Sequence, residues 1–563
     1  MHHHLTLRGK LVIMLSVMAS LFLVALDQTI IATALGTIVE EFNAFSSLSL
    51  IVTAYLLTTT VTVPIAGKLS DLFGRRNVLL TGVSVFALGS LLSGMAGSIE
   101  QLIWFRALQG IGGGIITANA FTIVGDLFTP RERSKWQGIM GAVFGLSSVI
   151  GPLLGGWLTD GQALFGLTTD WRWTFYINVP IAILAFGLIA YFSPSFKHIK
   201  RPKIDYHGAA LLTIVLATIV LAVDNTESIF ADVLATFNLS LAGLRVIMAI
   251  IVVVALAAFI RRESRVEEPI LPLGFFKNKN FVLIMGISSL FGAGFMGSIL
   301  YLTQFNQQVF GATPTESGMM LLPMVGGLMV SSIGSGQIIA RIGRYKVFMQ
   351  VGIVLATAMV ALLSTLTPET SYAYEAIIIA VLGFGLGMVM PVMNIAIQNE
   401  FKQAQLGVAT SSVQLFRGLG STIGIALFGA LLTAGITANL SGINKDDYLA
   451  TLQQSPAAKQ LGDFDDSNTL LTLNTPDVKQ RVTDGFKQGI QSSSIPAPAQ
   501  QQVIDTFKQN QAEYSSKITH AFSDSLRRIF LTSSILMALA AALVFMLKER
   551  HLSHEVDAVP IEG

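Results

Sequence analysis

Gly67-Lys-Leu-Ser-Asp71-Leu-Phe-Gly74-Arg75-Arg76 joins two apolar runs early in the chain, and Gly336-Gln-Ile-Ile-Ala340-Arg-Ile-Gly343-Arg344 joins two more beyond its midpoint. In both, two glycines stand seven residues apart and a basic residue follows the second. Glycine permits a sharp turn and close helix approach. Asp71 is suited to accept from the orphan amides of a helix start or to pair with a neighbouring arginine, and the arginines anchor one face of a membrane. Each stretch follows the second helix of a six-helix block, so the spacing points to a duplicated scaffold. Two readings stand side by side: a latch between bundles made of Gly67, Asp71, Gly74, Arg75 and Arg76, or a topology anchor. Ala340 replaces the acid in the second copy, so a latch would be asymmetric.

Working outward, a hydrocarbon core about 30 Å thick takes about 20 mostly apolar residues of helix. The chain supplies such runs at 11–36, 47–66, 77–97, 101–126, 136–159, 173–193, 206–223, 241–260, 281–305, 314–339, 345–366, 371–394, 405–436 and 528–547. This predicts an all-α membrane protein with fourteen transmembrane helices: a bundle of six over 11–193, an inserted pair over 206–260, and a second bundle of six over 281–547. With the N-terminus in the cytoplasm, inside loops carry Lys68, Arg75, Arg76, Arg131, Arg133, Lys135, Lys197, Lys200, Arg201, Lys203 and comparable later clusters, whereas the short loops opposite carry Arg172. That bias predicts a multi-pass plasma-membrane protein with both termini cytoplasmic. The polar segment 437–527 then lies outside, and its helix formers at 476–491 and 499–526 predict surface helices.

Of 563 residues, 52% are hydrophobic and 12% charged, with mean hydropathy +0.64, against about 25% charged in soluble domains. Lys and Arg number 36 against 34 Asp and Glu, leaving no basic excess to neutralise a nucleic acid. The chain has no cysteine, so disulfides, thiolate metal sites and cysteine nucleophiles are excluded. His2, His3 and His4 are weak evidence for a metal, and neither metal nor cofactor is expected.

Ionisable residues inside spans are costly and therefore functional candidates. Asp27 stands about 24 Å and Arg106 about 18 Å from the cytoplasmic edge at 1.5 Å per residue, close enough to meet through extended side chains. Burial favours a protonated Asp27, while Arg106 and an arriving cation favour the ionised form. Proton and cationic substrate would exclude each other there; the alternative is a structural ion pair. Arg417 falls near the midplane, where structural pairing is expected. Glu316, Glu375 and Asp224 fall near outer helix ends, and Glu316 is taken as a secondary proton site. Helix 5 combines Gly141, Gly145, Gly151, Gly155 and Gly156 with Pro152, which suits close packing at a sliding interface. Gln28, Tyr55, Trp104, Asn119, Gln304, Asn306, Met393, Asn394 and Gln398 are polar, aromatic or polarizable candidates for a cavity lining.

These segments resemble the major facilitator superfamily, to whose cytoplasmic loop signature 67–76 is similar, departing at Leu72 where a basic residue is common. Leu26-Asp27-Gln28-Thr29-Ile30-Ile31-Ala32-Thr33-Ala34-Leu35 is similar to the first-helix motif of fourteen-helix drug:proton antiporters of the EmrB/QacA type, with Gly36 in place of a usual proline. Gly151-Pro152-Leu-Leu-Gly155-Gly156 is similar to their antiporter motif, with Ser147 where glycine is usual. Arg106-Ala-Leu-Gln109-Gly110-Ile-Gly-Gly-Gly114 resembles the proton-relay motif, and Trp171-Arg-Trp173-Thr-Phe175-Tyr-Ile-Asn178-Val-Pro180 the signature entering helix 6. The resemblance implies a monomeric, proton-coupled exporter of lipophilic, often cationic compounds. A lipid or lipid-linked metabolite exporter is the alternative. No nucleotide-binding loop, hydrolase elbow or metalloprotease motif occurs, so neither an ATP-driven pump nor an enzyme is expected.

Overall fold

A computed structural model describes residues 7–42, 48–193 apart from 160, 162, 165 and 166, 204–312 apart from 224 and 225, 314–439, 446–453 and 496–552, with 464, 469–470, 473–474 and 476–492. Backbone amides and carbonyls have no water to bond in a bilayer, so spans of this composition close their hydrogen bonds internally as helices. Fourteen helices among the described residues are long and apolar enough to cross a membrane. We number them α1 Leu7–Phe42, α2 Leu48–Phe73, α3 Arg75–Gly94, α4 Ile99–Leu127, α5 Pro130–Thr159, α6 Asn178–Phe192 and α7 Tyr206–Val223. There follow α8 Leu241–Glu263, α9 Lys279–Gln308, α10 Leu322–Ile342, α11 Lys346–Leu363, α12 Tyr372–Gln398, α13 Leu406–Asn439 and α14 Ala497–Met546.

The fourteen spans and the all-helical class agree with the sequence reading; a two-residue antiparallel ribbon, Ala163–Leu164 with Leu167–Thr168, is the described sheet. Ser98, Ser240 and Asn278 start α4, α8 and α9 by accepting from amides of the first turn. Gly74 (φ 87°) and Gly343 (φ 72°) hold the two repeated turns in the left-handed region that favours glycine.

Two groups of helices emerge. In the first, α1 packs on α4, α5 and α6, and α4 packs on α2 and α3; in the second, α9 packs on α13 and α14, and α12 on α10 and α11. The groups meet through α5 against α10 and α12, and through α13 against α2 and α4. The pair α7 and α8 pack on each other and lean on α2 and α13. Its anchor lies at the face where Leu7 and Leu552, the first and last described residues, are found, hereafter the terminal face: Lys68 of α2 pairs with Glu268 at 2.6 Å, and Arg262 with Asp205 at 3.0 Å.

The last span differs from its sequence boundary. α14 starts at Ala497, about thirty residues before the apolar run, because its polar first half packs on its own neighbours: helices Asp447–Gln453 and Pro476–Gln491 lie against it. Buried Tyr448, Phe507 and Tyr514 form this outer core, with half-buried Phe486 stacked on Phe507 at 3.9 Å.

Candidate functional site

α1 and α4 bring Asp27 and Arg106 together. Arg106 Nη1 donates to Asp27 Oδ2 at 2.6 Å, and both side chains are buried, at 0% and 1% exposure. Gln109 Nε2, one turn along α4, donates to Asp27 Oδ1 at 2.8 Å, and Asn178 Nδ2, at the start of α6, donates to the same oxygen at 3.1 Å. Gln109 Oε1 in turn accepts from Arg106 at 2.8 Å. The guanidinium lies over the Tyr55 ring at 4.3 Å and near Phe175 at 5.7 Å. Ser90 accepts from Asn178 and donates to the Phe175 carbonyl, fixing the amide.

Three donors therefore serve one carboxylate in a site closed to solvent. Such an arrangement strengthens every charge-assisted bond and makes loss of either ion severe. A proton on Asp27 would replace an acceptor position with a donor and release Arg106. Gln109 and Asn178 were legible as motif positions but not as partners, since nothing in spacing along one helix tells which face of another it meets.

At the terminal face, Asp71 pairs with Arg75, and its two oxygens accept from the Gly407 and Val408 amides at 3.1 and 3.0 Å. It thus caps the start of α13, in the opposite group, where unpaired amides and the helix dipole favour an anion. Arg75 also bonds Asp126 at 2.8 Å and Ser70, while Arg76 donates to the Ala190 carbonyl of α6. A Cβ on Gly67 would stand 2.2 Å from Ser411 Oγ, so glycine is what lets α2 and α13 cross this closely. The second turn ties differently: Arg131 of α5 donates to the carbonyls of Arg341 and Leu552 at 3.1 and 3.0 Å.

The glycines of α5 divide by neighbour. Gly138 and Gly141 fit against Ser332 of α10, while a Cβ on Gly151 would stand 2.0 Å from Thr29 Oγ1, two residues beyond Asp27. Thr29 also donates to the Ser147 carbonyl at 3.1 Å, which gives the serine's backbone a role at the site where glycine was expected. Gly155 is buried and Pro152 lies inside the helix. Gly156 corrects the sequence reading, because open space lies where its Cβ would be.

Several cavity candidates are corrected as well. Trp104 is 75% exposed on the outside of α4, and Tyr55 packs the ion pair. Gln398 belongs to the contact between the groups, donating to the Phe121 carbonyl at 2.9 Å and accepting from Gln137. Asn119 bonds the Ile115 carbonyl of its own helix, and Asn394 accepts from Gln414. Gln28 is exposed and Gln304 half-buried. None of these lines one cavity of about 820 Å³ that opens between α2, α3, α4 and α7 among Leu57, Val61, Ile65, Ile111, Ile115 and Ala217. Arg417 is half-buried and bonds Gln414 rather than an acid. Glu316 is exposed, whereas Glu375, grouped by sequence with helix ends where solvation is cheap, is wholly buried. Depth along a helix is readable from sequence, but direction around it is set by packing.

A family model described as the Major Facilitator Superfamily matches residues 17–425. The chain is 35% identical over 545 residues to the multidrug transporter protein MdtP of Bacillus subtilis (strain 168), covering 95% of this chain and 92% of that protein. To multidrug resistance protein 3 of the same organism it is 32% identical over 543 residues, covering 96% and 95%. The solved structure of the human organic anion transporter MFSD10 (TETRAN) is similar in fold, with a TM-score of 0.56 at 16% identity over 75% of this chain and 93% of that one.

Proposed function

The chain belongs to the major facilitator superfamily, as a multi-pass membrane transporter rather than an enzyme, and we propose that it exports lipophilic or amphipathic, often cationic compounds in exchange for protons. The terminal face is the cytoplasmic one, in keeping with the Lys and Arg bias of its loops. The observation that carries the reading is the buried Asp27–Arg106 pair with its two amide donors. An acid that exchanges its arginine for a proton, beside a helix crossing as tight as Gly151 on Thr29, couples charge at the site to movement of α1 against α5. The two groups of helices act as the rocking halves, with the Asp71 contact to α13 holding the cytoplasmic side shut. Each charge moved across the membrane is worth about 2.3 kcal/mol per 100 mV, so the balance of proton and substrate charge sets how far the potential drives export.

The test is proton release from purified protein in liposomes on addition of ethidium or of a neutral lipophilic compound. Release with ethidium that disappears in Asp27→Asn, with folding intact, is expected; release that survives the substitution moves coupling away from Asp27. The apolar cavity at the seam of α2 and α7 favours a second reading, export of a lipid or lipid-linked metabolite, since its volume falls within the range of ligand sites, roughly 300–1,000 Å³. No response of the wild type to either compound, with transfer of a labelled lipid instead, would establish that reading.

A further inference from the structure

Resting on proton-coupled transport, we propose that Glu375 of α12 is a second proton-carrying group, positioned by Asn306 of α9. Glu375 is 0% exposed and, among the described residues, neither carboxyl oxygen has a hydrogen-bond partner. Asn306, a polar side chain beside it, is also 0% exposed, with neither its amide oxygen nor its amide nitrogen bonded among the described residues. Two buried polar groups thus stand beside each other, and each is suited to satisfy the other. An ionised carboxylate without a donor is not tolerated in such a place, so Glu375 holds its proton here. Asp27, with an arginine and two amides, is in the opposite condition.

Among the described residues, no charge stands opposite Glu375 from the helices packed on α12. Arg131, Glu132, Arg133 and Lys135 of α5, Lys279 of α9, Arg341 of α10 and Lys346 of α11 all lie at the terminal face, the far end of those helices. Arg417 lies partway along α13 and bonds Gln414. Tyr372, on the same turn of α12, bonds the Met320 carbonyl, and Glu316 on the preceding short helix is exposed.

Access comes from the opposite face. Glu375 sits in the first turn of α12, roughly 5 Å from its end, and Asn306 stands just before the end of α9 at Gln308. Asn474 of the outer segment donates to the Gln308 carbonyl at 3.4 Å and is itself held by Ser515 at 2.6 Å. The outer segment thus covers this end. When a rearrangement wets it, the Glu375 O–H bond breaks, the proton passes to water, and the carboxylate accepts from Asn306 Nδ2; loading is the reverse.

Infrared difference spectra of the full chain in lipid, with and without ethidium, test this together with proton counts per ethidium bound. The wild type is expected to show a protonated-carboxyl carbonyl band that changes with ethidium. Glu375→Gln, which keeps the volume of the acid, is expected to lose that change and to release about twofold fewer protons, whereas Asp27→Asn, which removes the step that triggers release at Glu375, loses both. Glu369→Gln, in the exposed loop before α12, serves as the unchanged control. A band change or proton count in Glu375→Gln equal to the wild type overturns the proposal. Failure of coupling as such is distinguished by the absence of release from the wild type itself, and it would overturn the exchange at Glu375 with it.

Discussion

Asp27 and Glu41 are acids on the same helix, and their surroundings give them different tasks. Asp27 has no contact with solvent and three donors, so Asp27→Asn is expected to abolish ethidium-driven proton release and, by leaving Arg106 without its counter-charge, to lower the melting temperature of a still folded protein, checked by the liposome assay and a thermal melt. Glu41 lies at the far end of α1, where Arg172 bonds it at 2.8 Å and Trp171 Nε1 at 2.6 Å. The Arg172 guanidinium holds its carboxyl below the ordinary 4.5, against the smaller opposing effect of burial, with Trp171 assisting. A lowered carboxyl stabilises the fold above its ordinary value and loses that stabilisation as pH falls through the lower one. Glu41→Gln is therefore expected to lower the melting temperature slightly at pH 7, by the equivalent of about 1 kcal/mol or less because the pair is partly exposed. The difference from wild type should close in acid below the Glu41 titration; a gap that persists there removes the ion pair as its cause.

At the scale of elements, α5 shows why one motif carries residues of unequal weight. Gly151 has no room for a side chain, so Gly151→Leu is expected to force α1 and α5 apart and to cost about 1–3 kcal/mol or more. Gly156 faces open space in the same motif, and Gly156→Ala is expected to be neutral or to stabilise the helix by up to about 1 kcal/mol. Thermal unfolding in detergent of the two variants checks both; equal losses would mean the motif acts as a unit rather than through one contact. α14 makes a related point. Its apolar second half was visible as a span, but its polar first half became helix through Tyr448, Phe507 and Tyr514, which bury their rings together outside the membrane-type sequence pattern.

Over the whole molecule, the two groups of helices are joined where Asp71 caps α13 and where Arg131 reaches the end of α10. Asp71→Ala removes the cap from one group and the arginine's partner in the other, a loss of about 0.5–2 kcal/mol from the closed form. Spin labels at Glu132→Cys and Arg344→Cys, in a chain with no cysteine of its own, are expected to report one short distance in the parent and an added longer population with Asp71→Ala. An unchanged distribution would reduce Asp71 to a topology anchor. The sequence by itself determined the number of spans, the charge asymmetry of their loops and the depth of each ionisable group, because apolar run length and a rise of 1.5 Å per residue are properties of a single helix. That was enough to bring Asp27 and Arg106 within reach. It did not determine that Gln109 and Asn178 complete their site, that Asp71 finds its amides on α13, or that Glu375 rather than Glu316 is buried. Those depend on rotation about each helix axis, and spans that are apolar nearly all round carry little record of which face turns inward; only the packing of neighbouring helices decided it.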